Sequence, residues 1–298
     1  MVRSSLSWPM SQRLQLAREL GQPVSTTSLT ASVEVAHLLP DSGTLQLPRG
    51  VTSALLEIGC SDFDTMDETA LPKKENENAF LLSFEPLLDK YAVLLARGST
   101  RFNNHTRDRA VPLGRHHRQG IVLPIAVSPN GGPVNFTVGT TAGCSSMMPL
   151  ANARAAAAAW CGSQLETRRV PSISLPTAIG LLGDTLPISF LKIDAQGADF
   201  ELIRVTPPAL LRSRVSLIGM EARSPTCPPL YQGQATCDVV AKYMRSIGFR
   251  SRGAACPVGR NMTTGACLRP MPQHNSTSVY FEMASYLCCE RNAYYERI

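Results

Sequence analysis

The sequence predicts an α/β fold, with a mostly parallel, doubly wound sheet and one antiparallel strand at the sheet edge. Three observations predict it. Short, continuous apolar runs recur along the chain, as expected of strands that are buried on both faces of a parallel sheet. Helical patterns separate most of these runs, which is the alternation of an α/β domain. A last apolar run, residues 278–283, can pair at the sheet edge.

Periodicity, together with glycine and proline positions, predicts the individual elements. Strands are predicted at residues 54–59, 80–85, 121–127, 134–138, 188–194, 215–221 and 278–283, with a turn at residues 129–132. Helices are predicted at residues 87–97, 151–160, 198–211 and 235–247, and a short one around residues 11–20. Residues 1–50 form a weakly ordered lead-in. Residues 51–298 form one domain, whose residues 223–298 are a cysteine-rich elaboration.

The charge pattern limits the classes of partner. The formal net charge is +6, and only 17% of the residues are charged. This excess is too small and too dispersed to indicate nucleic-acid binding. No stretch approaches ~18 consecutive apolar residues, so no membrane span is predicted. The densest basic stretch, residues 97–118, is interpreted as a solvated loop, and the alternative is a rim that attracts an anionic acceptor.

Three features bear on the cellular compartment, and the third points in a different direction from the first two. Six of the nine cysteines lie in the last 72 residues, where they predict disulfides, and sequons occur at Asn104, Asn135, Asn261 and Asn275. Both features favour the secretory pathway. The first 20 residues are basic, contain no apolar signal-peptide core and resemble an organellar transit peptide instead.

Three predicted strands end in acidic residues. Glu57 precedes Gly59 at the end of the first strand, Glu85 ends the second, and Asp194 ends the fifth. In open α/β sheets, ligands bind at the carboxyl ends of the strands. A carboxylate after the second strand can accept hydrogen bonds from both ribose hydroxyls, and Gly59 allows close backbone approach to a ligand. The pattern therefore predicts a nucleoside-cofactor site.

Seven segments make the interpretation more specific. They are LEIG (56–59), SFEP (83–86), AVS (126–128), GCSS (143–146), VPSISL (170–175), FLKIDAQGAD (190–199) and IGME (218–221). In this order, the set resembles the FkbM family of methyltransferases over residues 52–222. The resemblance implies a class I, Rossmann-like methyltransferase fold, S-adenosylmethionine as methyl donor, and an oxygen acceptor on a sugar or other small molecule.

The resemblance also implies roles for individual residues. Glu57 and Gly59 would lie beside the methionine end of the cofactor, and Glu85 would bind its ribose. Asp194 would face the reacting methyl group or the acceptor. Two positions depart from the family pattern, since the second glycine after the first strand is missing and Gln196 replaces a glutamate. The resemblance also implies that Ala126 and Val127 lie near the adenine. Ser145 is predicted to contact the cofactor, and the equal alternative is that it caps a helix.

A base is needed when a hydroxyl acceptor loses its proton. The candidates are Asp194, Glu221, His116 and His117, of which Asp194 is preferred because a strand-end carboxylate is fixed near the site. The alternatives are that Asp194 caps the following helix and that Glu221 is structural. Lys192 is expected either to extend its ammonium to solvent or to pair with an acid, and Cys60 is expected to be a packing residue.

Two further interpretations remain beside an active O-methyltransferase. The missing glycine, Gln196 and the cysteine-rich tail also fit a non-catalytic module that keeps the fold and binds a partner or glycan. An NAD-dependent oxidoreductase is disfavoured because no G-x-G-x-x-G follows the first strand. The acidic run at residues 62–68 is interpreted as a helix start, and no metal is predicted. The sequence does not predict the oligomeric state.

Overall fold

The computed structural model describes residues 2–5, 32–35, 38–61, 78–97, 119–140, 142–151, 164–252, 256 and 290–298. The chain divides into two compact units, Met1–Arg49 and Gly50–Ile298. In the first unit, strand β1 (Val2–Ser5) pairs antiparallel with strand β2 (Ser32–Val35). These two strands are not among the predicted elements. The predicted helix around residues 11–20 lies outside the described residues.

The second unit contains a seven-stranded mixed sheet and two small sheets. Its described strands are β3 (Ser53–Ile58), β4 (Ala79–Phe84), β5 (Gln119–Leu123), β6 (Ala126–Val127), β7 (Val134–Gly139), β8 (Gln164–Val170), β9 (Ser172–Ile173), β10 (Ile188–Ile193), β11 (Val215–Arg223), β12 (Phe249–Ser251) and β13 (Glu290–Arg297). The two small sheets are the parallel pair β6–β9 and the antiparallel pair β7–β8.

The order of strands in the large sheet is β12-β13-β11-β10-β3-β4-β5. Strands β5, β4, β3, β10 and β11 are parallel, and β13 runs antiparallel to both β11 and β12. The predicted α/β class with a mostly parallel sheet is confirmed. The strand that runs against the others is β13, second from the edge, and the predicted edge strand at residues 278–283 lies outside the described residues.

The central strands are buried along nearly their whole length. Every residue of β4 is buried, and β3 and β10 are buried except at one position each. Strands covered on both faces need apolar side chains on both faces, which explains their continuous apolar runs. The chain order jumps from β3 to β10 at the middle of the sheet, so the connections leave in opposite directions there. This switch point is where α/β sheets open a crevice for ligands.

The described helices are α1 (Leu88–Arg97), α2 (Leu175–Gly180), α3 (Asp199–Val205), α4 (Pro208–Arg214) and α5 (Cys237–Ser246). The prediction of one continuous helix over residues 198–211 is wrong, because α3 ends before Thr206 and α4 begins after Pro207. Thr206 has an extended backbone. A residue that precedes proline is disfavoured in the helical region, so the Pro207-Pro208 pair interrupts the helix.

The prediction of a single strand over residues 121–127 is also wrong. The chain leaves the main sheet after Leu123, at Pro124. Ala126 instead donates its N–H to the carbonyl of Pro171 at 2.9 Å. Proline has no N–H to continue the ladder, so the chain turns out of the sheet there. The predicted helix at residues 151–160 lies outside the described residues.

The cysteine-rich elaboration is tied to the sheet through α5. Cys237 at the start of α5 forms a disulfide with Cys256, and Cys144 and Cys227 are also disulfide-bonded. Cys60 is buried against Val122 and Tyr91, which confirms the packing role expected for it. In the portion of the chain with described coordinates, no helix is long and apolar enough to cross a membrane.

Candidate active site

A cleft opens at the carboxyl ends of β3, β4 and β10, at the switch point where the connections leave in opposite directions. It encloses about 300 Å³ of space that is partly open to solvent. Its lining residues are Ile58, Gly59, Phe84, Pro86, Ile125, Ala126, Val127, Phe136, Ser145, Met147, Asp194 and Ala195.

Gly59 lets two strand ends approach each other at the floor of this cleft. It has a left-handed φ of 80°, and a Cβ at this position would lie 2.1 Å from the backbone oxygen of Asp194. The N–H of Asp194 donates to the carbonyl of Ile58 at 2.8 Å, which holds the two ends together. Any side chain would force them apart, so the floor requires glycine.

Seven of the lining residues form an apolar wall: Phe84, Pro86, Ile125, Ala126, Val127, Phe136 and Met147. They come from the end of β4, from the segment that leaves the main sheet after β5, and from the β7–β8 sheet side. Phe136 and Ala126 belong to one buried cluster, against which Met147 packs. This apolar wall can bind the flat face of an aromatic ring by burial.

Glu85 directly follows β4, between the lining residues Phe84 and Pro86 in the chain, and only 3% of it is exposed. Its Oε1 accepts a hydrogen bond from the N–H of Leu87 at 2.9 Å, just before α1. Burial raises the pKa of the Glu85 carboxyl, and the backbone hydrogen bonds from Leu87 and Ser61 act in the opposite direction. Glu85 therefore links the loop after β3 to the start of α1.

A polar network occupies the ends of β3, β10 and β11; its members are Glu57, Lys192, Asp194, Gln196 and Glu221. Lys192 Nζ lies 3.6 Å from Glu57 Oε1 and 3.3 Å from Asp194 Oδ2. Burial acts to lower the pKa of Lys192, but the carboxylates of Asp194 and Glu57 outweigh it and raise that pKa. The buried ammonium is thus held charged, and its expected pairing with an acid is confirmed.

Gln196 connects two carboxylates of this polar network. Its Nε2 donates to Asp194 Oδ1 at 2.7 Å and lies 3.3 Å from Glu221 Oε2. Its Oε1 accepts from the hydroxyl of Tyr231 at 2.9 Å, and its carbonyl accepts from the hydroxyl of Ser146 at 2.6 Å. The Gln196 backbone is in the left-handed region, with φ of 49°. The side chain is fixed by partners from three different segments.

The loop between β10 and α3 is also fixed through its backbone. Asp199 Oδ1 accepts from the N–H of Ala195 at 3.2 Å, and Oδ2 accepts from the N–H of Gly197 at 3.0 Å. A Cβ at Gly197 would lie 2.6 Å from the Cβ of Tyr231. Asp199, rather than Asp194, therefore serves the turn into the helix. The side chain of Asp194 is left on the cleft side, 26% exposed.

Comparison with known protein families agrees with this geometry. The sequence profile of the methyltransferase FkbM domain matches residues 58–251, more than half of the chain. The chain belongs to the FkbM methyltransferase family. The match begins at the end of β3 and runs through β12, further toward the C-terminus than the segments at residues 52–222 that carry the resemblance. No curated protein and no solved structure gives a significant match.

Membership of the FkbM family supports methyl transfer as the general activity. Of the residues expected to bind the cofactor, the structure brings five to the cleft: Gly59, Ala126, Val127, Ser145 and Asp194. Glu57, Glu85 and Glu221 are not among its lining residues: Glu57 and Glu85 are buried, and Glu221 is linked through Gln196 to the lining residue Asp194. His116, His117 and the acidic run at residues 62–68 lie outside the described residues.

Sequence reasoning missed several side chains of the site, among them Phe136, Met147 and Tyr231. Phe136 and Met147 line the cleft, and Tyr231 holds Gln196. The alternation of β7 predicts that Phe136 faces inward, so this residue could have been found from its period-2 pattern. Met147 and Tyr231 lie in irregular segments, where no periodicity indicates the direction of a side chain.

Proposed function

We propose that this FkbM methyltransferase uses S-adenosylmethionine and transfers its methyl group to an oxygen of a small-molecule or glycan acceptor. The observation that carries the proposal is the cleft at the switch point, which combines a glycine floor, an apolar wall and the carboxylate of Asp194. S-adenosylmethionine supplies an electrophilic methyl group on a sulfonium. The chain's own residues bind it, exclude water and receive a proton.

The apolar wall supports binding of the adenine ring, with Ala126 and Val127 against one face. Glu85 follows the strand next to β3, where its carboxylate can accept hydrogen bonds from ribose hydroxyls. These bonds favour its ionised form and oppose the raised pKa that burial gives it. Gly59 lets the ends of β3 and β10 meet, and the methionine portion can cross these joined ends near Glu57.

Asp194 is the proposed base. Its carboxylate lines the cleft, and Lys192 and Gln196 each hold one of its oxygens in place. During transfer, the acceptor oxygen forms a bond to the methyl carbon as the carbon–sulfur bond breaks and the electron pair stays on sulfur. The hydroxyl proton passes to Asp194 and then to solvent. Alignment of the acceptor with the methyl group contributes much of the rate enhancement.

The test is methyl transfer from cofactor with a labelled methyl group to a panel of sugars, glycans and small hydroxyl compounds. We expect label in at least one acceptor, and we expect Asp194→Asn to lower that rate by about 10²- to 10⁴-fold, as loss of a general base does. Glu296→Gln is the matched control, since Glu296 pairs with Arg250 on the far side of the sheet. Cofactor binding without transfer to any acceptor would favour the non-catalytic module instead.

A further inference from the structure

The amide of Gln196 lies between two carboxylates, and this placement restricts which side chain can occupy position 196. Nε2 carries two protons, and its neighbours Asp194 Oδ1 and Glu221 Oε2 are both acceptors. An amide donates to both without adding charge. A carboxylate in the same place would put oxygen against oxygen at 2.7 Å from Asp194, and one of the pair would then need a proton.

Tyr231 determines which end of the amide faces the carboxylates. Its hydroxyl donates to Gln196 Oε1 at 2.9 Å, so the oxygen of the amide points to Tyr231 and the nitrogen to the acids. Ser146 holds the backbone carbonyl of the same residue. Tyr231 is buried and packs flat against Gly197. The amide is therefore oriented from outside the polar network.

From this arrangement we infer that Gln196 is a positioning residue: its amide donates to Asp194 and Glu221 together, without the repulsion that a carboxylate would bring, and it fixes Asp194 toward the cleft. The inference rests on the proposed function, because Asp194 is the group that accepts the proton of the acceptor. It assigns to Gln196 a contact with Asp194 and Glu221 rather than with the cofactor.

The charges around Gln196 make the effect directional. Among the contacts of the described residues, carboxylates outnumber cations here, so an added acid meets more repulsion than attraction. In this part of the chain, the titratable and charged groups that face this position, directly or through a neighbour, include Asp194 and Asp199 from its own loop, Lys192 from β10, Glu221 from β11, Tyr231 from the segment after β11 and Glu57 from β3.

The test compares unfolding of Q196E, Q196M and wild type between about pH 5 and pH 8, without cofactor, by chemical denaturation of the full chain. In Q196E the folded cluster holds an extra proton that the unfolded chain has already released, so stability falls as pH rises. We expect the midpoint of Q196E to approach that of wild type at the acidic end and to drop steadily toward the alkaline end. Q196M removes the amide without adding charge, so its loss of stability should depend on pH much less than that of Q196E.

The double variant Q196E/E221Q is the decisive control, because it exchanges the carboxylate and the amide between the two positions. It should recover the part of the loss at the alkaline end that comes from Glu221, whereas the close contact with Asp194 remains unfavourable. It also keeps the test open if Q196E alone does not fold there. Parallel pH profiles for Q196E and Q196M, or no recovery in the double variant, would overturn the inference. Since no step uses cofactor, a failure of S-adenosylmethionine to bind wild type would overturn the proposed function separately.

Discussion

The polar network and the apolar wall meet at one cleft, but they are built in opposite ways. Members of the polar network are tied to one another by the ion pairs of Lys192 and the hydrogen bonds of Gln196. Packing holds the apolar wall together. The acid nearest to it in sequence is Glu85, which stands between the wall residues Phe84 and Pro86 and is buried. The difference teaches that the residues at the ends of β3 and β10 provide fixed charges, whereas the residues after β4 provide apolar surface for a ligand. Substitutions on the two sides should therefore have different signatures.

The largest effect is expected from Lys192→Met in the polar network. Removal of the ammonium leaves Glu57 completely buried without its cation, and breaking such a buried pair costs about 3–5 kcal/mol in the free energy of unfolding. Chemical denaturation measures this loss. Arg250→Met, which breaks a largely exposed pair with Glu296, should cost less than about 1 kcal/mol. Equal costs for the two variants would contradict the distinction between the network and ordinary surface pairs.

A smaller loss of stability, but a full loss of cofactor binding, is expected for Gly59→Ala at the boundary of the two regions. The added Cβ would meet the backbone of Asp194, so the ends of β3 and β10 must separate. Gly132→Ala is the matched control, because Gly132 has a similar φ of 78° but open space around it. The control should cost only about 1–2 kcal/mol from its left-handed backbone. Denaturation and isothermal titration of both variants would separate the close approach from backbone strain.

Glu85→Gln should weaken cofactor binding by about 10- to 100-fold near neutral pH, the worth of hydrogen bonds to a charged group. Because burial raises the pKa of Glu85, wild type should bind more tightly as pH rises from 4.5 through the folded pKa, and the variant should lack this dependence. Without ligand the sign is reversed: the folded state holds the proton longer, so ionisation of Glu85 lowers stability as pH rises through the same window. An unchanged pH profile of affinity in the variant would place the ribose elsewhere.

The smallest effect is expected on the apolar wall. Val127→Ala removes two methyl groups beside the proposed adenine, which should weaken binding by about 1 kcal/mol, or roughly fivefold, at every pH. Val138→Ala is a comparable buried deletion in the adjoining cluster that does not line the cleft. It should lower stability and leave the affinity unchanged. A pH-dependent loss in Val127→Ala would erase the contrast between the two regions.

The sequence alone predicts the framework of the site because that framework depends on burial. Strands β3, β4 and β10 are covered on both faces, so their apolar runs are unmistakable and the acids that follow them mark the carboxyl edge. Strand β8 lacks such a signal, because most of its residues are exposed and the strand carries no continuous apolar run. The Pro207-Pro208 pair indicates the break between α3 and α4, and at this point it is a better guide than helical periodicity.

The connections of the polar network could not be predicted in this way. Gln196 and Tyr231 are 35 residues apart and meet only because two loops pack together. The left-handed backbone of Gln196 is unusual for a residue other than glycine, and no local pattern indicates it. The identity of the residue was visible, but the reason for an amide at this position required the distances to Asp194 and Glu221.

The central claim is that this cleft binds S-adenosylmethionine, and isothermal titration of the wild-type chain tests it most directly. We predict one site per chain with a dissociation constant in the micromolar range for the cofactor or for its demethylated product. We also predict that the heat disappears in Gly59→Ala and persists in Gly132→Ala. Absence of heat with both ligands in folded wild-type protein, or equal binding by the two glycine variants, would contradict the account.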